Sequence, residues 1–314
     1  MKAIILCGGQ GTRLREETEH RPKPMVEVGG RPILWHIMKY SAHFDVREFV
    51  IGLGYRGSMI KDYFLNYEAM NSDFTVSLGR FSAIDYHAEH EEQDFRVTLA
   101  DTGLDTMTGA RVQRLRRYVG RQRFLVTYGD GLTDLDLDAA LRFHENHGRI
   151  ATVTTVRPTS RFGMLEIDDD GRVNRFAEKP QADGWASAGY FIFEPEIFDV
   201  LGDRDDCILE REPMERLAAA GELAAYRHDG FFYAMDTYRE YLQLNELYAA
   251  GAAPWVHPRT SERTAARRLF HNDLPVYASR LEPWFARHGV PPAASMSGRF
   301  CRVTSPVSIT GVVS

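Results

Sequence analysis

Residues 2–7, KAIILC, are apolar almost without a break and stop at a run of glycines. A short continuous apolar run ended by turn residues predicts a strand buried on both faces of a parallel sheet. Pro32 then opens a helical pattern, PILWHIMKYSAHF, in which Leu34, Ile37, Met38 and Ser41 share one face. EFVIGLGY predicts the next strand and GSMIKDYFLNY the next helix, so the first 70 or so residues read βαβα. That alternation calls for parallel strands joined by crossover helices. Residues 74–99 change texture: DFTVSLG and FRVTLADTG alternate, as antiparallel or edge strands do. RFLVTYGDG returns to a buried strand, ended by Asp130, and LTDLDLDAALRFHENHG predicts a capped helix. IATVTTV, GMLEIDDDGRVNRFAEKP and ASAGYFIF are strand-rich, with a hairpin turn at DDDG. PMERLAAAGEL and YREYLQLNELYAAG predict the last helices, the second led in by YRHDGFFYAMDT. The whole predicts an α/β fold with a mostly parallel sheet and flanking helices over residues 1–255, followed by a C-terminal extension, 256–314.

The extension has its own character. VHPRTSERTAARRLFHND is basic and polar, which suits a solvated helix or linker more than an interaction patch. In the tail RVTSPVSITGVVS, Val303 and Ile309 lie six apart, as do Val307 and Val313. Hexapeptide spacing is the mark of a parallel β-helix, but the two repeats that fit cannot bury a core alone. The tail is therefore either the start of a β-helix-like segment packed on the main domain or a partner, or a plain edge strand.

Composition narrows the class. The chain has 314 residues, 44% hydrophobic and 26% charged, with a net charge of -6. These values fit a globular enzyme-sized domain and give no basic footprint for nucleic acid or a membrane surface. No stretch approaches the 18 or so apolar residues a membrane helix needs, and the N-terminus lacks the features of a secretory signal. Cys7, Cys207 and Cys301 are scattered, odd in number and without zinc spacing, as expected of free thiols in the cytoplasm.

The candidate chemistry lies in CGGQGTRLREETEHRPKPM, Cys7 to Met25. A dinucleotide fingerprint requires a third glycine where Leu14 stands, and a Walker loop requires GxxxxGK[ST], which is absent. What remains is a GGxGTR turn: backbone N–H groups of Gly8, Gly9 and Gly11 around an anion, with Arg13 as a planar fork for phosphate oxygens. Such a loop alone is as often a tight turn. Lys23, however, is flanked by Pro22 and Pro24, which hold an extended segment and carry the cation on a stiff tether. A surface lysine needs no tether; a cation aimed at polyphosphate does.

With these residues in view the chain resembles the sugar-nucleotide pyrophosphorylase family, whose signature is GGxGTRL followed by PKPM. Within the family it is most similar to the cytidylyltransferases, on EETEHRPKPMVEVGGRPILWHIMKYS, TLADTGLDTMTGARVQR, TYGDGLTDLD, RFGMLEI, FAEKP and MDTYRE, in family order from residue 1 to about 255. The resemblance implies a Rossmann-like fold of the nucleotide-diphospho-sugar transferase type. It implies that CTP and a sugar 1-phosphate, expected to be glucose 1-phosphate, give CDP-sugar and pyrophosphate with Mg²⁺, in a homo-oligomer. It also implies that Leu6, Cys7, Gly8, Gly9, Gly11, Thr12 and Arg13 wrap the nucleotide, that Lys23 contacts the α-phosphate, and that Thr106, Arg111 and Gly129 add nucleotide contacts, with Gly129 letting the backbone come close to the ligand. Asp130 and Asp236 match the family's metal pair, and Arg13, Lys23 and Asp130 its catalytic set. Glu178 and Lys179 match the pair that meets the sugar and its phosphate.

Each match has a plainer reading. Asp130 alone is equally a turn former, Asp236 a helix N-cap, Arg111 a surface arginine, and Glu178–Lys179 an ion pair. A non-catalytic relative on the same fold would be expected to lose Arg13, Lys23 or an aspartate, and all are present. Two segments depart from the cytidylyltransferase pattern. ASAGYFIF carries Ser187 and Ala188 where an Asn-Gly-Gly is expected, and FFYAMD, with Tyr233, replaces Trp-Gln-Pro-Met-Asp. Both fall on the sugar side, so the motifs specify the reaction more closely than the acceptor.

Overall fold

The structure, a computed structural model, describes residues 1–256 except 80–82, 88, 89, 93, 159–161, 179, 180, 182 and 183. The C-terminal extension with its hexapeptide-like tail, Cys301 and Lys179 therefore lie outside the described residues.

Nine strands position the site. They are β1 (Lys2–Cys7), β2 (Glu48–Leu53), β3 (Arg96–Asp101), β4 (Phe124–Tyr128), β5 (Gly131–Thr133), β6 (Ala151–Val156), β7 (Ala186–Phe193), β8 (Leu223–Arg227) and β9 (Phe232–Ala234). Seven of them form one sheet in the order β8-β6-β7-β4-β1-β2-β3. All neighbours are parallel except β7, which runs antiparallel to both β4 and β6. The α/β, mostly parallel fold expected from the pattern is thus present, with one reversed strand.

The apolar run of β1 explains its central place. Ala3, Ile5 and Cys7 join the core on one face of the sheet, and Ile4 and Leu6 join the core on the other. A strand with two buried faces cannot alternate polar and apolar residues. Five helices matter to the site: α1 (Ile33–Ala42), α2 (Thr108–Arg114), α3 (Leu137–His147), α4 (Glu212–Ala219) and α5 (Tyr238–Ala249). α1 buries Leu34, Ile37, Met38 and Ser41 as its spacing predicts, and shares the first core with Leu244 of α5. α2 and α4 supply Val112 and Leu217 to the second. α3 starts at Asp136, whose Oδ1 accepts from the Ala139 N–H at 2.9 Å, and ends at Gly148 in the left-handed region.

The texture change at residues 74–99 resolves into two different things. Phe74–Ser77 pairs antiparallel with Ala83–Tyr86 in a separate hairpin. β3 is an edge strand, as expected, but parallel to β2; with a neighbour on one side only, most of it is partly exposed. Met164–Ile167 and Val173–Ala177 form the second hairpin, turning through DDDG with Gly171 at φ +79°. No helix among the described residues is long and apolar enough to cross a membrane.

Trp255 closes the described core. It is 2% exposed, and its indole N–H donates to His36 Nδ1 at 3.3 Å. His36 Nε2 lies 2.7 Å from the Val28 carbonyl. An indole only donates and a carbonyl only accepts, so His36 is held neutral with its proton on Nε2. Burial pushes its pKa down from 6.5 to about 4.

Candidate active site

A cavity of about 340 Å³ opens at the carboxyl ends of β1 and β4, where ligands bind in open α/β sheets. The loop after β1 gives it Gly8, Gly9, Gly11, Thr12 and Arg13, behind Leu6 and Cys7 at the strand end. The segment after β4 gives it Gly129 and Asp130, the chain leading into α2 gives it Thr106, and α2 itself gives it Arg111. Lys23 and Asp236 complete the set, so every residue expected on the nucleotide or metal side faces this one cavity.

The centre of the site is a cation between two anions. Lys23 Nζ donates to Asp130 Oδ2 at 2.5 Å and to Asp236 Oδ1 at 2.7 Å. Arg13 Nη1 donates to the other oxygen of Asp236 at 3.0 Å. Lys23 is only 11% exposed, whereas Arg13 is 74% exposed. Burial alone would lower the Lys23 pKa; the charge of Asp130, with hydrogen bonds to both aspartates, outweighs it and raises it above the ordinary value. Burial pushes the Cys7 thiol up, with Asp130 adding to it, so this cysteine stays protonated and serves as packing.

Local structure explains how residues so far apart in sequence meet. β5 pairs antiparallel with β9, with Gly131 opposite Ala234, and the Met235 N–H donates to the Asp130 carbonyl at 3.0 Å. This short ribbon holds Asp130 and Asp236 at the same end of its two strands. Asp236 is not the N-cap of α5. Thr237 takes that role in a capping box with Glu240, whose Oε2 accepts from the N–H of both Asp236 and Thr237. The Asp236 carboxylate thus meets Lys23 and Arg13 without serving as the cap.

Lys23 also differs from its expectation. Pro22 is extended, at φ -67° and ψ 147°, but Lys23–Met25 closes a single 3₁₀ turn instead of continuing extended. A proline's fixed φ serves a 3₁₀ turn as well as an extended chain. Pro24 is buried by this turn, and that anchors the backbone beneath Lys23.

Gly129, which lines the cavity, is also required by a close approach within the protein. A Cβ there would lie 2.8 Å from Cys7 Sγ and 2.8 Å from Pro24 Cγ. Its missing side chain lets the Lys23 turn pack on the strand ends.

Arg111 lines the cavity yet is only 5% exposed, so its plainer reading as a surface arginine does not hold. Its guanidinium donates to the carbonyls of Gly8, Leu53, Gly103 and Leu104 at 3.2, 3.1, 2.7 and 3.0 Å, and to Thr102 Oγ1 at 2.6 Å. A Cβ on Gly8 would lie 2.2 Å from the guanidinium carbon, so the glycine is what lets the loop rest on this cation. Thr106 Oγ1 accepts from Arg114 at 2.7 Å, bracing the same segment. Neither role is visible in the linear pattern, because the carbonyls that Arg111 holds come from three separate stretches of chain.

The cavity wall has four further members: Pro24, Met107, Thr108 and Tyr128. Tyr128, immediately before Gly129 at the end of a buried strand, was open to inference from the strand–turn pattern. Among the described residues, Glu178, Ser187 and Tyr233, expected on the sugar side, do not join this wall. Ser187 is exposed and its Oγ accepts from the Gly189 N–H at 3.2 Å. Tyr233 donates to Gln243. Glu178 is exposed at the end of the second hairpin, with Oε2 beside Gly163.

Comparison with known proteins agrees with this geometry. Residues 2–230 match the family described as Nucleotidyl transferase. The chain is 47% identical over 258 residues to the glucose-1-phosphate cytidylyltransferase of Salmonella typhi, covering 81% of this chain and 98% of that protein. It is 41% identical over 257 residues to the probable glucose-1-phosphate cytidylyltransferase of Bacillus subtilis (strain 168), covering 81% of this chain and 99% of that one. The solved structure of HddC from Yersinia pseudotuberculosis shares the fold at a TM-score of 0.58 and 22% identity, over 79% of this chain and 99% of that one. The chain belongs to the nucleotidyl transferase family.

Proposed function

We propose that this protein transfers a cytidylyl group from CTP to a sugar 1-phosphate, with glucose 1-phosphate as the acceptor, releasing pyrophosphate and forming a CDP-sugar. One observation carries the reading: the loop after β1, Lys23 and two aspartates line a single cavity in a chain 47% identical to a named glucose-1-phosphate cytidylyltransferase. A phosphate oxygen of the sugar phosphate attacks the α-phosphorus; a new P–O bond forms and the bond to the β-phosphate oxygen breaks. A phosphate monoester has its second pKa near 6, so the nucleophile is already an anion at neutral pH and no protein base is needed. The protein's task is to align two anions and to offset their charge.

In this reading the loop N–H groups hold the polyphosphate, Arg13 meets its outer oxygens, and Lys23 meets the α-phosphate. Arg111 keeps the loop in place from below. Asp130 and Asp236 converge on one cation, the Lys23 ammonium, at 2.5 and 2.7 Å, which fits a pair built to share a positive centre. Their hard oxygen donors suit Mg²⁺, which takes one or two carboxylates together with phosphate oxygens. Bound there, Mg²⁺ would supply charge neutralisation to the phosphates. Among the described residues no group of three or more His, Cys, Asp or Glu is arranged for a metal, consistent with a site completed by substrate rather than a full protein cage.

The test is pyrophosphate release from each of the four ribonucleoside triphosphates with a panel of sugar 1-phosphates. CTP-dependent release with glucose 1-phosphate is expected; no CTP-dependent release with any sugar would overturn the proposal. Ser187 and Ala188 favour one second reading, in which another hexose 1-phosphate is the acceptor, and the same panel separates the two.

The reading extends to a homo-oligomer in the cytoplasm. In the first hairpin Phe74 pairs with Tyr86 and Val76 with Ile84, giving a ribbon face of four apolar side chains, each 42–49% exposed. A continuous apolar face on a water-soluble protein marks an interface. Light scattering of the wild type and of Ile84→Lys checks it: a mass above 35.7 kDa that falls in the variant is expected, and a monomeric wild type would refute it.

A further inference from the structure

The bridge made by Lys23 has a consequence for how a metal and a nucleotide enter the site; the inference rests on the metal role proposed above for Asp130 and Asp236. Both carboxylates give an oxygen to one ammonium, at 2.5 and 2.7 Å, and that ammonium is 11% exposed. Two like charges brought to one place need a counter-charge. Lys23 supplies it from a backbone that cannot move aside: Pro24 is buried, and its Cγ is 2.8 Å from where a Gly129 Cβ would be. The side chain, by contrast, is a flexible four-carbon stem whose ammonium can change partner while the backbone stays anchored. Arg13 occupies only one oxygen of Asp236 and is mostly exposed, so it is a weaker obstacle.

We infer that Lys23 is an internal stand-in for the divalent cation, so that metal alone competes with it, while metal and nucleotide together do not. A divalent ion that takes both carboxylates must displace the ammonium, which then has no anion to pair with. When a nucleotide is present, its phosphates receive the displaced ammonium, and the opposition to the metal disappears. Coupling of this kind is reciprocal: the nucleotide improves the metal site and the metal improves the nucleotide site. The lysine therefore keeps the carboxylate pair from holding a divalent ion unproductively, and releases it only when the substrate that needs it arrives.

The test uses Mn²⁺ without nucleotide, followed by the electron paramagnetic resonance signal of the free ion. Lys23→Met leaves both carboxylates without the ammonium that pairs them, and is expected to bind Mn²⁺ at least about tenfold more tightly than the wild type, in line with the size of a buried ion-pair interaction. Lys23→Arg, which keeps the charge, is expected to stay within about twofold of the wild type. Should Lys23→Met fail to fold in EDTA, Lys23→Gln carries the same comparison, because its amide still donates to the carboxylates without their counter-charge. Equal or weaker Mn²⁺ binding by the neutral variants overturns the inference. Adding Asp130→Asn to the neutral variant separates the two layers: loss of the tight Mn²⁺ site supports the carboxylate pair as its seat. Retention of that site would overturn the metal reading of the pair and the inference with it.

Discussion

Arg111→Met tests the buried support beneath the loop. Methionine keeps most of the volume and removes every donor. Of the five acceptors, Leu53 O keeps Thr102 N and Oγ1, and Gly8 O keeps Tyr55 N at 3.2 Å. The carbonyls of Gly103 and Leu104 lose the only donor identified for them among the described residues. Leaving a fully buried carbonyl unmet costs about 1–3 kcal/mol; Leu104 is 54% exposed and Gly103 half-buried, so water meets part of the loss and the two together cost about 2 kcal/mol, less whatever is recovered by no longer burying a charge. For a domain of this size that corresponds to a fall in Tm of about 4–8 °C. Thermal unfolding followed by circular dichroism measures it. Since Gly8 leans on the same guanidinium, KM for CTP is expected to rise as well, by more than KM for the sugar phosphate. Arg111→Lys should recover part of the stability, because an ammonium reaches fewer of the five acceptors. A Tm loss below about 2 °C in Arg111→Met, or equal changes in both KM values, would show that the loop does not depend on this clamp.

Asp130→Asn is expected to keep the wild-type circular dichroism spectrum and lose at least about a hundredfold in turnover, the scale of removing one key electrostatic group; near-normal turnover at saturating Mg²⁺ would rule out the proposed role. Gly129→Ala places a methyl 2.8 Å from Pro24 Cγ and Cys7 Sγ, so a Tm lowered by an amount matching about 1–3 kcal/mol, with reduced turnover, is expected from the overpacked joint. His36 gives a pH dependence. Its folded pKa of about 4 lies below the ordinary 6.5, so the fold favours the neutral form; this contribution is complete above pH 6.5 and is lost as pH falls toward 4. At pH 5 the loss is about 2 kcal/mol. Tm measured from pH 7 to 4.5 should fall more steeply in the wild type than in His36→Gln, and parallel curves would contradict the assignment.

The parts of the fold set by continuous apolar runs were legible in sequence, because a strand buried on two faces leaves no room for polar residues; β1, β2 and β4 are of this kind. The reversed direction of β7 was not, since an antiparallel strand between buried neighbours carries the same apolar run. At the site, the loop residues and both aspartates were legible as types at given spacings. Their partners were not. Asp236 looks like an N-cap until Thr237 is seen to cap α5, and Arg111 looks solvent-facing until carbonyls from residues 8, 53 and 103–104 surround it. Both depend on contacts between distant stretches of chain, to which local periodicity is blind.

The ribbon between β5 and β9 gives the site a tolerance to insertion. Asp130 and Asp236 are joined by three residue pairs across the ribbon, while more than a hundred residues of chain run between them. Growth of a loop anywhere in that stretch, the exposed hairpin at Met164–Ala177 included, leaves the distance between the carboxylates unchanged as long as the ribbon stays in register. A slip of one residue within the ribbon turns each side chain of a strand to the opposite face. Segments in between can thus be lengthened, shortened or exchanged to reshape what the enzyme accepts, while three short residue pairs guard the geometry of its charge centre.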